Sequence, residues 1–316
     1  MKLLPAAMTL PTPLQRRLET AAACLMNPGQ PCTVDFSTPI GEPALTEPDS
    51  ISWLVFKNPL ALFVGGVAAV LLELAEPRVR EGVWNHTTFK SDPLRRIQRT
   101  GFAAMVTVYG PRNEAEALIA RVRRIHAAIG GETPDGQAYR ADDPQLLAWV
   151  HATASFGFLE AYNAYVRRLD AEECDRYFAE GVTSARMYGA ESTPGSQAEM
   201  ATLFEKMNGA LEPSPVLLEF LDIMERTSVL PSPFDRMQGM LVRAAVGILP
   251  NSVQEQLGLK ARWSLASWER HVIALLGASA DRILIRSAPA VQACRRMGLA
   301  DDYLYVGASA RGSNKN

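Results

Sequence analysis

Cysteine is scarce in this chain of 316 residues. Cys24, Cys32, Cys174 and Cys294 form no CxxC pair, which excludes a disulfide-stapled scaffold and any Cys/His finger spacing. An excess of either charge is also missing. With 32 basic and 34 acidic residues the net charge is -2 and the pI about 6.1, so no basic field gathers nucleic acid or an anionic membrane from a distance. Nor is there a long apolar run. The longest candidate, Leu60 to Ala75 (LALFVGGVAAVLLELA), already contains Glu73 and falls short of the roughly 20 residues a bilayer requires, so it reads as a core helix. The first ten residues carry one lysine and a broken apolar stretch before Pro11 and Pro13, unlike a secretory signal; a reducing cytoplasm is the expected setting. HExxH, paired ExxH, GxGxxG, Walker and GxSxG patterns are all lacking, which leaves multi-ligand metal sites, nucleotide binding and serine hydrolysis without support.

What is present is a succession of helical patterns separated by proline and glycine. Residues 91–110 open with a cap at Ser91 or Asp92 and Pro93 in the first turn, and stop at Gly110-Pro111. Asn113 is predicted to cap a helix reaching Ile129, with Leu118, Ile119, Val122, Ile125 and Ile129 at helical spacing. Asp143-Pro144 opens a segment that stays apolar round most of its circumference as far as Arg167, the mark of a central buried helix. Further helices are predicted over 171–188, 196–208, 215–227, 234–247, 263–276 and 288–297. Strand patterns are few, the best being LYVGA near the end and ILIR at 283–286. The chain therefore predicts an all-α fold, one large helical domain with tails of roughly 10 residues at each end.

Two of the four histidines fall on apolar helix faces. His126 shares the stripe of Val122 and Ile129, and His151 lies four residues after Leu147 and seven before Phe158. Position alone favours reading each as a core histidine satisfied by a carbonyl or carboxylate; the other reading is the single ligand that a haem asks of its protein, since the porphyrin supplies the other four donors. In RRIQRT, Arg96 and Thr100 share one helix face, so they form either a carboxylate-gripping pair or a solvated basic first turn.

The blocks AEPRVREGVWNHTTFKSDPLRRIQRTGFAAMVTVYG, VRRIHAAIGG, YRADDPQLLAWVHAT and EAYNAYVRRL closely resemble the family of rubber oxygenase (latex clearing protein) and the endoplasmic-reticulum-bound oxygenase of mycophenolic acid biosynthesis. The resemblance runs from about Asp49 to Leu259. It implies an all-helical domain enclosing one b-type haem (iron), and oxygen-dependent cleavage of an isoprenoid double bond in the best-known members. By motif, the axial ligand and metal-binding residue falls on His126, while Arg96 and Thr100 take the haem-pocket arginine and threonine. His151 is implied as pocket-lining or as the alternative ligand.

Rubber-cleaving members place a lysine before that threonine and a glutamate upstream. Here Arg99 stands in the lysine position and cannot act as an acid or base. Glu73, Glu76 and Glu81 are all candidates for the glutamate, with Glu76 standing where many relatives have a histidine. The implied organisation is an N-terminal extension packing on the core over 1–48, a haem-binding oxygenase-like domain over 49–300 and a tail over 301–316. A small apolar substrate and dioxygen are the expected partners, with no nucleic acid, no integral membrane span, and a homodimer allowed. The pair Gly65-Gly66 is expected to let its helix approach the haem or to leave space above it. A non-catalytic haem sensor or carrier ligated by both His126 and His151 is the alternative.

Overall fold

The computed structural model describes residues 7–25, 34–227 and 234–306. Among them are fifteen α-helices and one short two-stranded ribbon, so the chain is all-α. Helix after helix opens on a capping side chain followed by proline, whose missing N–H is not needed in a first turn. After α1 (Thr12–Leu25) and α2 (Ile51–Phe56), the Asn58 side chain accepts from the amides of Leu60 and Ala61, each at 3.1 Å, and Pro59 begins α3 (Pro59–Ala75). Glu76-Pro77 opens α4 (Pro77–His86) and Asp92-Pro93 opens α5 (Pro93–Tyr109) in the same way. Asn113 does not cap the next helix. That helix, α6 (Arg112–His126), begins one residue earlier, behind Pro111, and the Asn113 side chain accepts from the neighbouring Glu114 amide at 2.7 Å.

Asp143-Pro144 opens α7 (Pro144–Tyr165), and a reciprocal Asp170/Glu173 capping box opens α8 (Ala171–Tyr188), which ends at left-handed Gly189 with φ 101°. There follow α9 (Gln197–Met207), α10 (Pro215–Arg226), α11 (Gln238–Gly247), α12 (Asn251–Gln256), α13 (Lys260–Trp263), α14 (Ser267–Ala280) and α15 (Pro289–Arg296). The predicted 234–247 helix begins as a 3-10 turn, Phe234–Met237, and the predicted 263–276 helix is offset to Ser267–Ala280.

The strand expectations fail. Tyr303–Tyr305 is a 3-10 turn, with residues beyond 306 outside the described set, and Ile283 makes only one parallel bridge, to Met8. The ribbon lies instead between α6 and the helix that opens at Pro144: β1 (Gly130–Glu132) pairs antiparallel with β2 (Ala138–Arg140). The N-terminal stretch before α2 is tied down by Arg296, which is fully buried and donates to the carbonyls of Phe36 (2.7 Å), Tyr109 (2.7 Å) and Glu42 (2.8 Å). Among the described residues no single helix is long and apolar enough to cross a membrane; α3 and α4 qualify by composition only as a pair bent by 111°.

The antiparallel pair α3 and α7 forms the axis of the molecule, with α2, α8, α10, α11 and α14 packed around it. Its two helices meet backbone to backbone. A Cβ on Gly65 would lie 2.7 Å from the Gly157 carbonyl oxygen and 2.7 Å from the Phe158 Cα, and a Cβ on Gly157 would run into the Gly65 carbonyl in return. Gly65 therefore serves a helix crossing rather than the approach to a cofactor. Gly66 differs, since its Cβ would meet only the Phe158 ring edge, at 3.8 Å. Substituting alanine at Gly65 should cost about 1–3 kcal/mol through overpacking. At Gly66 the same change should be neutral or stabilising by up to about 1 kcal/mol, the helix-propensity gain. Urea unfolding of the two variants checks this; equal effects would contradict the crossing.

Candidate active site

The cap at Asp92 and Pro93 sets the phase of α5, so that Arg96 and Thr100 rise along one face. The Arg96 guanidinium donates to the Thr100 hydroxyl, which itself donates to the Arg96 carbonyl at 3.0 Å. The Arg96 Nε is buried with no hydrogen-bond partner among the described residues. Burial lowers the Arg96 pKa, Glu73 opposes this, and the nearby Arg99, whose side chain is exposed, adds to it. An orphaned guanidinium donor deep in a protein is costly unless something accepts from it.

The three candidate glutamates part company. Glu73, near the end of α3, is raised from 4.5 to about 7, first by burial, with Arg96 and the Thr153 hydroxyl pulling it back. Glu76 is 2% exposed and caps α4: it accepts from the Val79 amide at 2.7 Å and pairs with Arg78 Nε at 2.7 Å. That explains a carboxylate where many relatives have histidine. Glu81 accepts from Asn85 Nδ2 at 2.7 Å and faces Tyr139 of the ribbon. Only Glu73 shares surroundings with Arg96.

His126 sits in the last turn of α6 and its ring makes no hydrogen bond among the described residues. Burial lowers its pKa, Arg96 lowers it further, and Asp142 raises it. His151, on α7, has Nδ1 3.5 Å from the Ser155 hydroxyl, a long contact, and burial alone pushes it down to about 4. Its ring occupies the room left by Gly181 of α8, where a Cβ would come within 3.1 Å of Cε1. Both imidazoles are neutral at physiological pH. Glu73, Arg96, His126 and His151 are strongly desolvated and yet none is sealed from accessible surface. Both hold when a side chain lies away from bulk water but borders internal space.

A cleft of about 910 Å³ opens at His126, walled by Leu147, Val182, Tyr188 and the Gly189–Thr193 loop, with Arg123, Arg124 and Arg186 at its margin. Leu147 is one turn from His151 on α7 and Val182 follows Gly181, but His151 itself is not among the residues that line the cleft. The Tyr188 hydroxyl lies 3.0 Å from that of Thr107, two turns after Thr100 on α5, and closes α8 against α5.

A buried carboxyl raised to about 7, a guanidinium whose Nε lacks a partner and two desolvated imidazoles form a candidate catalytic cluster, of which His126 lines the cleft. The family model described as ER-bound oxygenase mpaB/B'/Rubber oxygenase, catalytic domain, matches residues 53–280, and the chain belongs to that family. No curated protein and no solved structure matches the chain. Among the described residues no group of three or more His, Cys, Asp or Glu could hold a metal ion. A haem asks for less: one free imidazole, a cation for a propionate and an apolar slot. His126 and the orphaned Arg96 Nε fit those demands.

Sequence reasoning missed Thr153, Gly181, Asp142 and the arginines of the cleft. Thr153 and Gly181 acquire their places only through the packing of α7 on α3 and α8. A raised Glu73 means that folding favours its protonated form, so the stability this contributes is full below about pH 4.5 and lost as pH rises through about 7. Glu73→Gln should match the parent near pH 4.5 and exceed it by about 3 kcal/mol at pH 8. Urea unfolding at several pH values checks this; a pH-independent difference would return Glu73 to ordinary titration.

Proposed function

We propose that this protein is a haem b-dependent oxygenase that acts with dioxygen on a small apolar substrate of isoprenoid type. The observation that carries the reading is that Arg96 acts electrostatically on both His126 and Glu73 while its own Nε lacks a protein partner. When bound, the haem would supply the activation of dioxygen. His126 would hold the iron through a ring nitrogen, a role that requires the neutral imidazole that burial and Arg96 favour. Arg96, steadied by Thr100, would pair with a propionate through charge-assisted hydrogen bonds, and Arg99 adds positive charge at the outer edge.

His151, held neutral by burial and packed beside Gly181, would line the haem pocket. Glu73, raised to about 7, would accept a proton from an allylic carbon of the substrate. Helix α3, apolar over most of its length, keeps bulk water away from that transfer.

Haem content after purification, with helical circular dichroism as the folding control, tests these roles. His126→Ala should lose most of the haem with its helical signal intact, and Arg96→Ala should weaken haem binding by about 1.5–3 kcal/mol. Retention of haem in His126→Ala together with its loss in His151→Ala would exchange the two histidines. A parent protein that takes up no haem would overturn the reading.

A further inference from the structure

The cleft beside His126 carries more positive charge than the structural needs of its helices explain. Arg123 and Arg124 come from α6 and Arg186 from α8, so three guanidiniums from two helices surround one concave space in a chain whose net charge is -2. Each stands in a last helical turn, where the helix dipole favours a cation by only a few tenths of a kcal/mol. None of the three makes a hydrogen bond or ion pair with the protein among the described residues.

Their acidic neighbours in the cleft are Asp142 and Glu191. Asp142 is already held by both arms of Arg140, at 2.9 Å each, which leaves its charge largely spent. The opposite rim supplies a second observation. Thr193 lines the cleft and its hydroxyl is buried with no hydrogen-bond partner among the described residues, while Ser192 beside it is held at φ 56°, a strained value for a residue with a side chain. An unpaired hydroxyl donor and unpaired guanidiniums lining one concavity suit an oxyanion.

We infer that this cleft recognises an anionic head group, and that the substrate is an amphiphile: an apolar chain ending in a carboxylate or a phosphate. The inference rests on the oxygenase reading above and supplies its substrate class. Leu147 and Val182 add apolar surface to the lining that carries the arginines and His126, so a chain anchored by its head would lie against them beside His126. Anchoring the head fixes which carbon of an otherwise featureless chain reaches the reacting end.

Isothermal titration of the purified protein with farnesol, farnesoic acid and farnesyl phosphate, at low and at high salt, tests this with the chain held constant. At least one of the two anions should bind about ten-fold or more tighter than farnesol, with a preference that weakens in salt. The tighter anion names the head group. The triple variant Arg123→Gln/Arg124→Gln/Arg186→Gln, all at exposed positions, should bind every probe like farnesol and keep its haem content. Equal binding of the three probes, binding of none, or a preference that survives in the triple variant would overturn the inference. A triple variant that loses haem instead would assign these arginines to the cofactor's own carboxylates and overturn it as well. Absence of haem absorbance in the parent protein would sink the oxygenase reading, whereas the affinity ratio alone decides the head group.

Discussion

Everything at the candidate site depends on how closely α3 and α7 approach each other. With hydrogen in place of a side chain at Gly65 and Gly157, the two backbones touch, and the antiparallel direction of the pair then fixes which residues share a level. Two turns beyond Gly65 on α3 comes Glu73; one turn before Gly157 on α7 comes Thr153, with His151 half a turn further. The contact between Glu73 and Thr153 follows from that register. A wider crossing would admit water and let the carboxyl return to its ordinary range.

Arg96 links this axis to the outer helices. Its charge reaches Glu73 on one side and His126 on the other, pulling both towards lower pKa, while burial acts on the two in opposite directions. The carboxyl ends near neutrality and the imidazole is kept unprotonated. A single buried cation thus acts on a carboxyl and an imidazole together, with a guanidinium whose Nε the protein leaves unmatched.

Much of this frame was legible in the sequence because its signals are local. Asp92-Pro93 and Asp143-Pro144 each mark a helix start through chemistry completed within four residues, and α5 and α7 lie where those signals put them. The family motif likewise singled out Arg96, Thr100 and His126 by number. What escaped was decided by distant partners. Gly65 looked like a device for approaching a cofactor because nothing in its own helix announces Gly157. Glu76 looked like a candidate base, although it sits two residues before α4 gains its first free amides and is consumed in capping them. The 130–140 ribbon is only three residues a side, too short to display a period of two. Arg123, Arg124 and Arg186 read as ordinary last-turn cations until α6 and α8 bring them around one cleft.

The proposed function requires that this chain take up one haem with His126 as the protein ligand, the haem supplying the binding of dioxygen. The absorption spectrum of the reduced protein before and after carbon monoxide tests it most directly. The account predicts one haem per chain and a Soret band that shifts on adding the gas. A six-coordinate low-spin spectrum indifferent to carbon monoxide, or no Soret band at all, would contradict it.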